Sequence, residues 1–229
     1  MSDTSDILVL AGTREAVEMA QAIGAACLPL RADLPSPARV VHGPFDGAIA
    51  GPWRAIICGA HPFDAAAASR VLARRPGMPL LRFRRAAWQQ DAALSWTPVA
   101  SVRDAVALIP EGGTVFAATG RESEPALARY KGRVILRQNT AHNEPPAADN
   151  IDFLFGTRSF DAATEEALFR DLGITHLLAR NLGGSGGVGK LHAAARMGVP
   201  ILMLERPAAH GLVVSSAPAV RAWLESTCA

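Results

Sequence analysis

Lysine is nearly missing from this chain: of its 23 basic residues only Lys131 and Lys190 are lysines, and the rest are arginines. The basic residues are scattered along the sequence rather than massed and the formal charge is only +2, so nucleic acid is disfavoured as the principal partner. Cysteine is as sparse. Cys27, Cys58 and Cys228 are odd in number, far apart and in no C-x-x-C pair, which argues against both a disulfide framework and a zinc site. The apolar stretches are too short, or too often broken by Arg, Pro or His, to cross a bilayer, and residues 1–6 lack the basic start of a secretory signal; a cytoplasmic chain with no membrane partner is expected. Neither a Ser-His-Asp order, nor metal-spaced histidines, nor a nucleophile elbow is present, which removes the common hydrolase chemistries. A bound cofactor becomes the economical source of any reaction, with no metal expected.

What the chain does have is a regular alternation of short apolar strands with helical periods. Strands are expected at residues 7–11, 27–30, 39–41, 55–58, 79–83 and 96–99, with helices at 62–75 and 102–109 and a helix face formed by Ala16, Met19, Ala20 and Ile23. The pattern restarts with strands at 115–118, 134–136, 152–155, 176–179, 201–204 and 212–214, and helices at 124–130, 161–172, 190–197 and 217–226. The restart carries an echo: Ala11-Gly12-Thr13-Arg14-Glu15 is matched by Ala118-Thr119-Gly120-Arg121-Glu122. The reading is an α/β chain of two Rossmann-like domains, 1–112 and 113–229, whose mostly parallel sheets face a shared cleft.

The densest signal is the segment from Asn181 to Lys190, where five glycines join an apolar strand to a helix-compatible stretch. Glycine admits positive φ and lets backbone N–H groups approach a ligand closely, and the following helix N-terminus adds partial positive charge, so a phosphate is the natural guest. Gly184, Gly186 and Gly189 satisfy G-x-G-x-x-G, with Glu205 ending the next strand where a ribose acceptor is expected. Gly184, Gly189 and Lys190 also fit G-x-x-x-x-G-K, but Leu191 stands where Ser or Thr must hold Mg²⁺. Three classes therefore stay open: a nicotinamide-dependent enzyme, a P-loop-like nucleotide triphosphatase or kinase, and a non-catalytic nucleotide- or tetrapyrrole-binding module. A plain loop is the alternative to all three.

Other candidates sit at strand ends. Thr13 can cap the first helix or meet a ligand, and Glu15 in that helix's first turn suits a ribose or amide better than a phosphate. Arg31, 19 residues after Gly12, stands where an arginine can receive a 2′-phosphate, or is simply exposed. His61 precedes Pro62, a residue suited to the first helical position, and is either a ligand-edge group or a turn former. Arg82 and Arg84 share one strand face, a geometry that fits paired carboxylates as well as a solvated surface.

Taken together, Ile7 to Ala16, Ala60-His61-Pro62-Phe63, Leu81-Arg82-Phe83-Arg84-Arg85, Arg180-Asn181-Leu182-Gly183-Gly184 with Lys190, Ala193-Ala194 and Arg206-Pro207 resemble the precorrin-6A reductases of cobalamin biosynthesis. The blocks run in family order over nearly the whole chain, with departures at Ala11, Arg180 and Leu182. The resemblance implies an NADPH-dependent reductase delivering hydride to a ring-D double bond of a polycarboxylate macrocycle. It implies cofactor contacts at Gly12, Thr13, Arg14, Glu15, Asn181, Gly183, Gly184, Ser185, Gly186 and Lys190, with His61 as the protein's candidate proton donor and a substrate carboxyl or water as the alternative source. The macrocycle falls to Arg82 and Arg84, with Arg121 as the next candidate, and transient contact with neighbouring pathway enzymes is compatible with such a role.

Overall fold

An uninterrupted apolar strand such as Ile7–Ala11 has no polar side to offer water, so it needs cover on both faces, and all five of its residues are buried. The computed structural model describes residues 4–64, 66–156, 161–184, 186–209 and 211–228. The strands are β1 (Ile7–Ala11), β2 (Ala26–Pro29), β3 (Ala55–Gly59), β4 (Leu80–Phe83), β5 (Thr97–Val99), β6 (Thr114–Ala118), β7 (Arg133–Gln138), β8 (Ile151–Phe155), β9 (His176–Arg180), β10 (Ile201–Leu204) and β11 (Val213–Val214). The helices are α1 (Arg14–Ile23), α2 (Phe45–Ile49), α3 (Ala66–Arg74), α4 (Val102–Leu108), α5 (Glu124–Leu127), α6 (Ala162–Asp171), α7 (Gly189–Arg196) and α8 (Ala217–Thr227). They form two units, Met1–Ala86 with Pro207–Ala229, and Ala87–Arg206.

The first unit is a parallel sheet in the order β11-β4-β3-β1-β2. Alternation along β1 sends Ile7, Val9 and Ala11 to one side, where they pack with Ala16, Met19 and Ala20 of α1 and Val220 and Leu224 of α8. Leu8 and Leu10 go to the other, with Ile49 of α2 and Val71 of α3. Helix α1 begins at a Thr13 cap and ends at Gly24 with φ 74°, a left-handed stop that glycine adopts without Cβ strain. The second unit is a six-stranded parallel sheet, β5-β10-β9-β6-β7-β8, whose core includes Phe116, Phe169, Leu177, Leu191 and Met203.

The expected division at residue 112 is corrected by this pairing. Strand β5 and helix α4 lie in the second unit because Thr97–Val99 pairs with Leu202–Leu204, and β11 and α8 return to the first because Val213 pairs with Arg82. Each sheet thus takes its edge strand from beyond the predicted boundary, and strand partnership is set by edge complementarity that sequence order does not record. Three smaller corrections follow from local chemistry. Residues 39–41 make a single bridge, Val40 to Cys27, after a stretch in which Pro35 and Pro37 lack the N–H a ladder needs. Pro62 is not the first residue of a helix: α3 starts at Ala66, and the Asp64 carboxylate accepts from the N–H groups of Ala66 and Ala67. Helix α2, only five residues long, has no counterpart in the expected elements.

The winding reverses between β1 and β3 in the first sheet and between β6 and β9 in the second. Ligands of open α/β sheets bind outside the carboxyl ends of the strands at such reversals.

Candidate functional site

At the first reversal the backbone closes on itself. The Gly12 N–H donates to the Gly59 carbonyl at 2.9 Å, and a Cβ at Gly12 would stand 2.5 Å from His61 N and 2.9 Å from Ala60 C. Glycine is required here by its own chain. Thr13 is buried and its Oγ1 accepts from Ala16 N at 3.2 Å, so the hydroxyl serves as a cap. Arg14 is exposed, and Glu15 receives Arg85 Nη1 on both oxygens at 2.9 Å. Arg31 turns to Asp33 rather than to the sheet edge.

Beside this closed turn lies a pocket lined by Cys58, His61, Asp64, Arg82, Arg84 and Ala208 among others. The strand alternation predicted for Arg82 and Arg84 holds: both reach this pocket, flanking the inward Phe83. Arg84 donates to the carbonyls of Pro62 at 2.6 Å and Pro207 at 3.2 Å, which fixes its fork at the rim. Burial first, and then the like charge of Arg82, draw its guanidinium below the ordinary value. Two cations held this close favour an incoming anion. His61 Nδ1 accepts from Phe63 N at 3.3 Å, so the neutral ring carries its proton on Nε2 and can donate from there. Burial raises the Cys58 thiol, which keeps it protonated and inert.

The glycine loop of the second unit is held from behind by its carbonyls. Arg206 donates to Asn181 O at 2.6 Å and Leu182 O at 2.5 Å, the Trp88 indole N–H to Gly184 O at 2.7 Å, and Lys190 Nζ to Gly187 O at 2.6 Å. The Asn181 amide is spent on the Trp88 backbone, accepting from its N–H at 2.9 Å and donating to its carbonyl at 3.1 Å. Gly183, Gly184 and Gly187 take φ of 67°, 71° and 80°, which glycine alone adopts cheaply. Among the described residues, no hydrogen bond uses the N–H of Gly183, Gly184, Gly186 or Gly187. Carbonyls secured and N–H groups open describe an anion cradle. Ser185 lies outside the described residues.

Lys190 is a buried cation, its Nζ 5.8 Å from the Trp88 ring centroid. Burial, and secondarily Arg137, lower its pKa to about 8, against the pull of Glu165. Arg137 and Glu165 themselves form a two-pronged pair of 2.5 and 3.0 Å over the Phe116 ring. The first residue of α7 follows Val188, which provides no side-chain cap, so the helix end is left to the loop.

At the second reversal Arg180 pairs with Glu122, and the Thr119 and Ser123 hydroxyls bond at 2.7 Å. Arg121 is already matched by Glu124 at 2.9 Å and by Glu144, which makes it a poorer substrate anchor than the pocket arginines. At the end of β7, Gln138 Nε2 and both ring nitrogens of His142 are buried with no partner among the described residues. Each such group ordinarily costs about 1–3 kcal/mol.

Sequence reasoning finds the glycine loop and the shared face of Arg82 and Arg84, but separates them from what positions them. Trp88, Gln138 and His142 carry no motif, and Arg206 stands in a family block without a role.

Two doubly wound parallel sheets, one ending in an open glycine loop and the other beside a paired-arginine pocket, place the chain in the class of Rossmann-like α/β proteins. The family model for the precorrin-6x reductases CbiJ/CobK matches residues 50–225. A precorrin-6A reductase of Rhodococcus erythropolis is 32% identical over 161 residues, 69% of this chain and 65% of that protein. One from Rhodobacter capsulatus is 31% identical over 67% of this chain and 62% of its own length, and one from Sinorhizobium is 33% identical over 87% and 84%. A solved CobK precorrin-6A reductase superposes with a TM-score of 0.82 at 27% identity, covering 98% of both chains. The chain belongs to the precorrin-6x reductase family. Among its described residues no helix is long and apolar enough to cross a membrane.

Proposed function

We propose that this chain is a cytoplasmic, NADPH-dependent reductase of precorrin-6A, saturating one ring-D double bond of the macrocycle. The observation that carries this reading is the carbonyl-locked glycine loop, whose open N–H groups suit the phosphates of a dinucleotide. Bound reduced nicotinamide supplies the hydride. The chain's own residues bind and orient. The N–H groups of Gly183, Gly184 and Gly186 meet phosphate oxygens, and Lys190 supports them from behind without needing to touch the ligand.

Arg82 and Arg84 receive carboxylates of the macrocycle, relieving the repulsion between their charges. Each charge-assisted bond contributes roughly 1.5–3 kcal/mol, so a few bring micromolar binding within reach after ordering costs. His61, with Nε2 as its donor, offers a proton to the carbon next to the one that takes hydride. A P-loop reaction is disfavoured: Leu191 is fully buried where a metal-binding hydroxyl is needed, and Lys190 points back to Gly187 O.

The test is absorbance of the reduced nicotinamide with and without precorrin-6A, run beside magnesium-ATP. NADPH oxidation that requires the precorrin, with no ATP turnover, is expected. Magnesium-dependent ATP hydrolysis that vanishes in Lys190→Ala, with NADPH left untouched, overturns the reading.

A further inference from the structure

Two side chains at the carboxyl end of β7 hold buried nitrogens for which the described protein supplies nothing to bind. Gln138 closes the strand, nine-tenths buried, with Nε2 unsatisfied; four residues on, His142 has both ring nitrogens in the same condition. The imidazole stands edge-on to Phe153 and Phe155, with centroids 5.0 and 5.1 Å away. Phe155 is also the register partner of Gln138 across β7 and β8. The pairing therefore gathers three unsatisfied nitrogens at one strand end, beside an aromatic ring that keeps 42% of its surface exposed.

The position selects the ligand. Strands β6, β7 and β8 wind away from the β6/β9 reversal, which makes β7 the second strand of its half-sheet. In sheets of this winding the end of the second strand faces a nucleoside ribose whose phosphates lie at the reversal, where the turn after β6 and the glycine loop after β9 are neighbours. The adenosine ribose of NADPH presents acceptor oxygens on its 2′-phosphate and a 3′-hydroxyl that both donates and accepts, which is what an amide NH₂ together with an imidazole requires. The partly exposed Phe155 ring suits a base lying against it.

We propose that Gln138 and His142 form the subsite for the ribose at the adenosine end of the dinucleotide, with Phe155 beneath the base. This rests on the glycine loop being the phosphate cradle.

Calorimetric titration of the full chain with adenosine 5′-monophosphate, nicotinamide mononucleotide and NADPH, for wild type, Gln138→Leu and His142→Phe, tests it. Each variant should weaken the adenosine nucleotide and NADPH about tenfold, leave nicotinamide mononucleotide unchanged, and melt no lower than wild type, because an unsatisfied buried group has been replaced by an apolar one. Unchanged affinities, or equal losses for both mononucleotides, overturn the subsite. Gln138→Glu is the second arm: a carboxylate accepts from a 2′-hydroxyl but repels a 2′-phosphate, so the ratio of NADH to NADPH affinity should rise at least tenfold. A ratio that does not move overturns the proposal even if Gln138→Leu fails to fold. If wild type binds none of the three ligands, the cofactor reading itself falls. If NADPH binding is lost in Gly184→Val but untouched in both Gln138 variants, only the ribose assignment falls.

Discussion

Replacing Lys190 by Met removes a buried ammonium that holds Gly187 O at 2.6 Å while keeping an unbranched chain of similar volume. Lowering the lysine from its ordinary 10.5 to about 8 corresponds to about 3 kcal/mol against the charged form in the fold. Below pH 8 both folded and unfolded chains carry the proton, so the full penalty applies. Between pH 8 and 10.5 the unfolded chain still binds a proton that the folded chain has released, so stability contributed by this group rises with pH across that window. The buried cysteines oppose it. Burial pushes Cys27 up to about 11, so its thiol favours the folded state at low pH and that contribution is lost as pH climbs from 9 through 11. The difference between wild type and Lys190→Met isolates the lysine, because both carry the same cysteines. Denaturant unfolding at steps from pH 7 to 10.5 should show wild type gaining about 3 kcal/mol relative to the variant. NADPH affinity should move the other way, falling above pH 8 in wild type and staying flat and weaker in the variant. A difference curve that is level, or that slopes downward, refutes the claim that a buried charged lysine supports the loop.

Gly184→Val and Gly186→Val should weaken NADPH binding at least tenfold with the fold kept, as read by fluorescence titration and circular dichroism; Gly184 adds the strain of a β-branched residue at φ 71°. Arg82→Ala should raise the KM for the precorrin in a salt-sensitive way with NADPH affinity unchanged, and Arg82→Lys should recover only part of the loss; wild-type kinetics in both would make that strand end an ordinary surface. Gly12→Ala should cost about 1–3 kcal/mol in a melting experiment, because its Cβ meets backbone atoms at 2.5–2.9 Å.

Hydrophobic period and glycine position carry most of the local structure. Ile7–Ala11 and His176–Arg180 are readable because buried parallel strands are continuous apolar runs, and α1 because its apolar residues recur on one face. What stays hidden is non-local. Thr97–Val99 and Val213–Val214 read as strands without saying which sheet they join, and Trp88 secures Gly184 across 96 residues of chain with no local signature. The cradle is legible from its glycines, whereas the donors that turn its carbonyls inward are not. Gly12 is ambiguous for a related reason: a glycine required for close approach looks the same in sequence whether the approaching atoms belong to a ligand or to the chain itself, and here Ala60 and His61 approach it.

The chain leaves its first sheet after Ala86 and returns at Pro207, so the unit that begins first is finished last. On a ribosome, Ala87–Arg206 is complete while the first unit still lacks β11 and the α8 residues Val220 and Leu224 that cover α1. Until those last residues emerge, Ile7, Val9 and the apolar face of α1 remain open to water and to other chains. Synthesis therefore favours maturation from the middle outward, and a premature stop near the end of the message would harm the amino-terminal sheet while sparing the one encoded just before it.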